Sequence, residues 1–264
     1  MYTFDYQRPA SQAEALEACQ GDSRYLAGGQ SLIQAMKLRL SASERLVDLG
    51  AIPALNEISV ANGRVTIGAM ARHAQVAGSP LVKQHLPALA ELAHGIGDPM
   101  VRSMGTLGGA LANADPAACY PAAVLCLGAT VHTAARDIPG EGFFTGLYGT
   151  ALEAGELITA VSFPATASAA YVKFKQPASR FALVGVMVAR GPAGVRVAVT
   201  GAKDHVFRVP DLEAALTQRF TPEAARACPV SQEGLLSDLH ASAAYRAALI
   251  PVITARAVQT ALSR

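Results

Sequence analysis

Two pairs of adjacent glycines are the residues whose type and spacing point most directly to a binding function. Gly28-Gly29 is followed by Gln30-Ser31, and Gly108-Gly109 follows Thr106-Leu107 eighty residues later. Adjacent glycines permit positive φ and let a ligand approach the backbone without meeting a Cβ atom. Free amides at a helix N-terminus, with the positive end of the helix dipole, suit a phosphate oxygen. Two such amide cradles would fit the two phosphates of a dinucleotide.

Each glycine pair must be positioned by the elements around it. Residues 24–27 are predicted to form a strand that runs into the first pair, and Ser31 is expected to cap a helix to about Leu40. Thr106-Leu107 is expected to approach the second pair in the same strand-like way. A lone glycine pair more often serves a turn, so neither pair is specific by itself. The chain has no G-x-G-x-x-G and no G-x-x-x-x-G-K-[ST] sequence, which disfavours a Rossmann site and a P-loop.

The remaining pattern predicts an α+β protein in which parallel pairing gives way to antiparallel pairing. Ser11 and Glu14 have capping-box spacing, and residues 46–49 resemble a strand, so the first fifty residues form a small α/β unit. Asn62-Gly63 between alternating segments predicts a hairpin with a type I′ turn. Further helices are expected at 81–94, 121–127, 212–219 and 241–262, and strands at 183–189 and 195–200 are expected to pair across Gly191-Pro192.

Composition limits the classes of partner. The charged fraction is 16%, well below the roughly 25% that is usual for soluble domains, so some apolar surface is expected to face partner chains. The net charge of +2 arises from 22 basic and 20 acidic residues without a block of like charge, which argues against nucleic acid and anionic membrane. The uncharged segment 116–135 is broken by two prolines and a glycine, and we interpret it as buried core rather than a membrane span.

The cysteines indicate neither a metal site nor a disulfide framework. They occur in no C-x-x-C spacing, so the chain itself is predicted to hold no zinc and no iron-sulfur cluster. Asp5 and Arg8 interrupt the first ten residues, which leaves no continuous apolar region for a signal peptide. Reduced cysteines and a cytoplasmic location are therefore expected. The four residues are Cys19, Cys119, Cys126 and Cys228.

Residues 25–33 (YLAGGQSLI), followed by 36–39 (MKLR), resemble the medium, FAD-binding subunit of carbon monoxide dehydrogenase-type molybdenum hydroxylases, a group that includes xanthine dehydrogenase. Further segments match the family in family order, so that the resemblance covers nearly the whole chain. These segments are 66–69 (TIGA), 96–102, 105–109 (GTLGG), 114–118 (ADPAA), 143–146 (FFTG), 155–158 (GELI), 174–177 (FKQP), 238–242 (DLHAS) and 245–246.

The resemblance implies a fold and a set of cofactor-binding residues. The fold would be a vanillyl-alcohol-oxidase-type FAD-binding domain over 1–166, with a small α/β lobe and a larger α+β lobe, followed by an α+β domain of the carbon monoxide dehydrogenase flavoprotein type over 167–264. Residues 27–31 and 106–109 would contact the FAD pyrophosphate, and the other residues of the set would contact other parts of the cofactor. The full set is Ala27, Gly28, Gly29, Gln30, Ser31, Leu32, Thr106, Leu107, Gly108, Gly109, Asp115, Cys119, Ile158 and Lys175.

Three of these residues, Asp115, Ile158 and Lys175, also have an ordinary structural interpretation. Lys175 would be a solvated edge charge, Asp115 the start of a turn, and Ile158 core. The resemblance favours a cofactor role for Lys175 and Asp115, whereas His73 is interpreted as a surface or capping residue and left out of the site. Cys119 stands where the family usually has aspartate, which removes a carboxylate contact to the cofactor.

The function implied by the resemblance is electron transfer through non-covalently bound FAD. Electrons would come from iron-sulfur clusters in a small partner subunit, after substrate oxidation at a molybdenum cofactor in a large one, and leave to an external acceptor. A dimer of heterotrimers is the expected assembly. Two alternatives remain: a scaffold or assembly protein of this fold that has lost FAD, and a self-contained flavin oxidase with its own substrate residues and often a covalent flavin link.

Overall fold

The first fifty residues fold as the predicted α/β unit. The computed structural model describes residues 1–166, 168–192 and 194–264, and its N-terminal sheet holds three parallel strands in the order β1-β3-β2. The Ser11 side chain accepts a hydrogen bond from the Glu14 amide and so caps the first helix, as predicted. The elements are β1 Asp5–Gln7, α1 Gln12–Ala18, β2 Ser23–Leu26, α2 Leu32–Lys37 and β3 Arg45–Asp48.

A five-stranded antiparallel sheet follows, in the order β4-β5-β10-β6-β7. Its first hairpin turns at Asn62 and Gly63, whose φ values of 50° and 70° are both positive, as a type I′ turn requires. The hairpin prediction is therefore confirmed. A small separate hairpin consists of β8 Phe144–Gly146 and β9 Gly149–Thr150. The strands of the large sheet are β4 Ile58–Ala61, β5 Arg64–Gly68, β6 Thr130–Thr133, β7 Asp137–Pro139 and β10 Ile158–Pro164.

Six short helices connect β5 to β6, and buried residues of most of them belong to one hydrophobic core with the large sheet. The expected helices at 81–94 and 121–127 are present. Helices α6 and α7 lie between them. These two helices were not predicted, because this part of the sequence is rich in glycine. The helices are α3 His73–Gly78, α4 Pro80–His85, α5 Pro87–His94, α6 Pro99–Met104, α7 Leu107–Asn113 and α8 Tyr120–Cys126, and short 3-10 turns occur at Leu49–Ala51, Pro53–Asn56 and Gly140–Gly142.

The C-terminal part is a four-stranded antiparallel sheet with helices on one face. The predicted pairing across Gly191-Pro192 is confirmed, with Gly185 opposite Thr200 and Arg190 opposite Val195. Ala193 lies outside the described residues. A helix at 222–227 was not expected. The elements are β11 Ala169–Lys175, β12 Ala182–Gly191, β13 Gly194–Thr200, β14 Phe207–Arg208, α9 Pro210–Gln218, α10 Pro222–Ala227 and α11 Ala243–Leu262.

The C-terminal sheet is buried on both faces, and this fixes it against the first part of the chain. Val184, Val186 and Val188 pack with α9, α10 and α11, whereas Met187 and Ala189 belong to the core that α5 and α8 form with the large sheet. Successive side chains of β12 point to opposite faces of the sheet, so they pack into two different hydrophobic cores. Within the described residues, no helix has the length and apolarity needed to cross a membrane.

Candidate functional site

A cavity of about 410 Å³ lies where the N-terminal unit, the short helices and the C-terminal sheet meet. Its lining comes from four stretches of chain, at 24–32, 96–120, 152–158 and 173–181, with additional residues from 49 and 69–73. Leu107, which is fully buried, and Lys175, which is exposed, lie outside it. The predicted residues that line it are Ala27, Gly28, Gly29, Gln30, Ser31, Leu32, Thr106, Gly108, Gly109, Asp115, Cys119 and Ile158.

The loop that contains the first glycine pair lines this cavity. Gly29 has a φ of +68°, a conformation that glycine adopts without strain. The amides of residues 28–31 donate no hydrogen bond within the part of the chain that the structure describes. Ser31 does not cap α2, contrary to prediction, because it is itself in the right-handed helical region with φ −111° and ψ −54°. Four donors therefore remain for a ligand at the start of α2.

The second glycine motif does not form a second cradle of free amides, so that prediction is wrong. The Leu107 amide donates to Ala71 O at 3.0 Å and the Gly108 amide to Ala69 O at 2.7 Å. The Gly109 amide donates to the Thr106 hydroxyl at 3.1 Å, which makes Thr106 the N-cap of α7. The motif is also preceded by helix α6, not by the expected strand. The amides of this motif are therefore used in hydrogen bonds within the protein, and its atoms form part of the cavity wall.

Close approach of backbone explains the glycines of both motifs. A Cβ atom on Gly28 would lie 2.7 Å from the Gly105 Cα and closer still to the Met104 carbonyl oxygen. One on Gly108 would lie 2.6 Å from the Ala69 Cβ. Of the four motif glycines, Gly29 is the one with positive φ. The other three permit packing, so the two motifs touch each other and form one wall.

Lys173, rather than the predicted Lys175, places its side chain in the cavity. A register shift between Phe174 and Lys175 interrupts the regular pairing of β11 with β12, and Lys175 lies exposed beyond it. The Lys173 ammonium group donates to Cys119 Sγ at 3.4 Å and to Arg180 O at 2.8 Å. The family motif contains Lys175, and the sequence around it carries no signal of the register shift.

Asp115 lines the cavity close to Cys119 in the chain. Its carboxylate accepts a hydrogen bond from the Ala117 amide at 2.8 Å, and burial raises the pKa of the group above its ordinary value. The residue therefore starts a turn, as its structural interpretation predicted, and it also lines the cavity, so that a cofactor role stays a prediction.

His73, which sequence reasoning left out, is a lining residue of the cavity. It is 5% exposed, its ring packs on that of Tyr120 with centroids 5.3 Å apart, and burial lowers its pKa to about 4. Its Nδ1 and the Tyr120 hydroxyl are buried without a hydrogen-bond partner in the described part of the chain. A neutral imidazole and a phenol thus offer polar atoms for a ligand.

Glu156 joins the wall of the cavity to the loop between β6 and β7. Its carboxylate accepts hydrogen bonds from the Arg136 guanidinium group at 3.0 Å and from the Thr133 hydroxyl at 2.8 Å. The Arg136 hydrogen bonds lower the pKa of Glu156 from 4.5 to about 2. The ion pair is structural and holds residues 156–158 in position.

This ion pair predicts a specific acid sensitivity. The folded pKa lies below the unfolded one, so the charge of Glu156 stabilises the fold above pH 4.5, and this contribution is lost as the pH falls toward about 2. Glu156→Gln is expected to lower the free energy of unfolding at pH 7 and to flatten its decline in that acid range. Urea titrations at several pH values measure this. Glu153→Gln, at a side chain 79% exposed, is the control, and an equal effect there would contradict the assignment.

A serine, a histidine and an aspartate also meet on the outer face of the large sheet, but without a hydrolase site. His132 lies 2.6 Å from Asp137 and 2.8 Å from the Ser162 hydroxyl. Ser162 is 4% exposed and is covered by the Arg64 guanidinium group at 3.0 Å. None of these residues borders the cavity. We interpret these hydrogen-bonded side chains as polar packing between neighbouring strands.

The described residues hold no cluster of three or more histidine, cysteine or acidic side chains arranged to bind a metal ion. The four cysteines are free thiols. Open amides, a lysine and buried polar atoms around an elongated cavity instead fit an anionic organic cofactor with several polar groups.

Comparison with known proteins identifies this cofactor class. The family described as the FAD binding domain in molybdopterin dehydrogenase matches residues 2–166. The nicotine 6-hydroxylase medium subunit of Paenarthrobacter nicotinovorans is 35% identical over 98% of this chain and 97% of its own length. The carbon monoxide dehydrogenase medium chain of Hydrogenophaga pseudoflava is 34% identical over 99% and 98%. The solved structure of reconstituted carbon monoxide dehydrogenase from Oligotropha carboxidovorans superposes with a TM-score of 0.91 at 32% identity, covering 100% and 99%. The chain therefore belongs to the family of FAD-binding medium subunits of molybdenum hydroxylases.

Proposed function

We propose that this chain is the electron-transfer subunit of a heteromeric molybdenum hydroxylase, taking electrons from iron-sulfur clusters of a partner subunit and passing them to an external acceptor. The observation that carries the proposal is the set of open amides at residues 28–31, in the loop that lines the cavity of a chain from an FAD-binding family. Bound FAD supplies the redox chemistry, and the protein supplies binding, orientation and tuning.

The residues around the cavity suggest how this chain would hold FAD. The amides of residues 28–31 donate to phosphate oxygens, and residues 106–109 pack against this loop and complete the same wall of the cavity. Asp115, Cys119 and Ile158, which the resemblance assigned to the cofactor, line the cavity further along and would contact other parts of FAD. Lys173 replaces the predicted Lys175 as the cation that faces the cofactor, because its ammonium group lies in the cavity.

We extend the proposal to the domain organisation. Residues 1–166 would form a vanillyl-alcohol-oxidase-type FAD-binding domain of two lobes, and residues 167–264 a C-terminal α+β domain of the carbon monoxide dehydrogenase flavoprotein type. The segment that the family matches, 2–166, and the change of sheet after β10 support this division. Ala167, at the boundary, lies outside the described residues.

The proposed partners are a large subunit with the molybdenum cofactor and a small subunit with the iron-sulfur clusters, in a dimer of heterotrimers in the cytoplasm. Relatives over nearly full length are named medium chain or medium subunit, and one similar carbon monoxide dehydrogenase structure is described as lacking the Mo-pyranopterin moiety of the molybdenum cofactor. The four free thiols of this chain agree with a reducing compartment.

We predict that the purified chain contains FAD, bound non-covalently at one site per chain, and oxidises no organic substrate alone. Denaturation followed by chromatography identifies the released flavin, and copurification with metal analysis identifies the partners. Flavin that stays on the polypeptide, or flavin reduction by substrate without molybdenum and iron, would support a self-contained oxidase. A folded chain that takes up no FAD would support the scaffold alternative. Either outcome refutes the proposal.

A further inference from the structure

Cys119 has surroundings that differ from those of the other cysteines. Among the described residues, none of the thiols of Cys19, Cys126 and Cys228 accepts a hydrogen bond from a cationic side chain. Cys119 is 5% exposed, lines the cavity, and accepts a hydrogen bond from the Lys173 ammonium group at 3.4 Å. A lysine beside a sulfur in a solvent-connected cavity is the setting of a reactive cysteine.

One phenol hydroxyl at this end of the cavity lacks a partner. The Tyr120 side chain is fully buried, and its hydroxyl has no hydrogen-bond partner in the described part of the chain. Tyr120 follows Cys119 in the chain and lines the same cavity. A buried donor without an acceptor is costly, so this arrangement indicates an additional acceptor atom at this end of the cavity.

We propose that Cys119 is a reversible oxidation site, at which hydrogen peroxide converts the thiolate into a sulfenic acid held beside Lys173. The sulfur attacks one peroxide oxygen, an S–O bond forms, the O–O bond breaks, and hydroxide leaves. Sulfur loses two electrons and peroxide gains them. The added oxygen accepts hydrogen bonds from the Lys173 ammonium group and a phenol hydroxyl.

The proposed function provides a source for the oxidant. Where dioxygen is the external electron acceptor, its two-electron reduction yields hydrogen peroxide, and to that extent the inference rests on the proposed function. Among the described residues no second cysteine contacts Cys119, so a resolving disulfide within the chain is not the expected end point. A small thiol from solution would restore the reduced form.

The test treats the full chain, with and without FAD, with a small molar excess of hydrogen peroxide and then with a dimedone-type sulfenic acid probe. Peptide mass spectrometry reads the label at each cysteine over time. Cys119 is expected to label at least about tenfold faster than Cys228, the more exposed thiol, because the nearby cation assists the thiolate. Cys119→Ser is expected to remove this label and Lys173→Met to slow it to the rate at Cys228, whereas Lys173→Arg and Lys175→Met retain it.

The possible outcomes separate this inference from the proposed function. Equal or faster labelling of Cys228 in the wild-type chain overturns the inference, and so does an unchanged Cys119 rate in a folded Lys173→Met variant, with folding checked by a melting curve. The comparison of Cys119 with Cys228 needs no variant, so it decides the matter even where a variant fails to fold. Peroxide is added from outside, so labelling is measured whether or not FAD binds. Absence of FAD binding counts against the proposed function alone.

Discussion

Gly28→Ala is expected to abolish measurable FAD binding and to destabilise the chain. The new Cβ atom would lie 2.7 Å from the Gly105 Cα and closer to the Met104 carbonyl oxygen, so backbone on one side must move. Overpacking of this kind costs about 1–3 kcal/mol in the free energy of unfolding. The same movement displaces the amides of residues 28–31 from the cavity. Hydrogen bonds to a charged group are worth about 1.5–3 kcal/mol each, and each 1.4 kcal/mol is tenfold in affinity, so losing two lowers the affinity at least about a hundredfold.

Equilibrium titration of FAD into the apo chain, together with a urea unfolding curve, measures both effects. Gly142→Ala is the matched control, because a Cβ atom there meets nothing within 4 Å and the residue lies outside the cavity. It is expected to leave FAD affinity unchanged. If Gly28→Ala binds FAD as tightly as the wild type does, the amides of residues 28–31 do not hold the cofactor.

The sequence predicted those parts of the fold that depend on local chemistry. Asn62-Gly63 specified its hairpin because a type I′ turn needs two residues that tolerate positive φ. Ser11 specified a helix start because its hydroxyl satisfies an amide that has no partner within the helix. Two apolar segments on either side of Gly191-Pro192 predicted the antiparallel pairing of β12 with β13, which the structure shows.

The parts that could not be predicted depend on tertiary contacts. The residues of the Thr106-to-Gly109 motif were identified, but their amides are used by Ala69, Ala71 and Thr106, which are brought together only by the fold. The register shift in β11 that selects Lys173 over Lys175 likewise has no local signature. His73 was missed because an isolated histidine carries no sign of burial, although its burial sets its pKa.

The C-terminal motifs, which matched the family without an evident role, join the last part of the chain to the sheet next to the cavity. Gln176 Nε2 lies 2.9 Å from His240 Nδ1, and the Asp238 carboxylate accepts a hydrogen bond from Arg246 at 2.7 Å. Residues 173–181 line the cavity or adjoin it. Residues 174–177, 238–242 and 245–246 do not line the cavity, and these hydrogen bonds join them next to residues that do.

Arg246→Met is expected to lower the free energy of unfolding by about 2–6 kcal/mol, because it leaves two carbonyl oxygens without their donor and each buried polar group left unsatisfied costs about 1–3 kcal/mol. Arg246 is 2% exposed. Its guanidinium group donates to Leu183 O at 2.7 Å, to Gly201 O at 2.6 Å and to the Asp238 carboxylate. The variant leaves two carbonyl oxygens and a carboxylate without this donor, at the start of β12 and the end of β13.

Arg256→Met on the same helix removes an equal charge from an exposed position and is expected to change stability by less than about 0.5 kcal/mol. Chemical denaturation of the two variants and the wild type gives the comparison. The loss in Arg246→Met should extend to FAD affinity, because Phe181, one residue before β12, lines the cavity. Equal stability of the two variants would show that the buried guanidinium group does not hold α11 to the sheet, since both substitutions remove one positive charge from the same helix and differ in burial and partners.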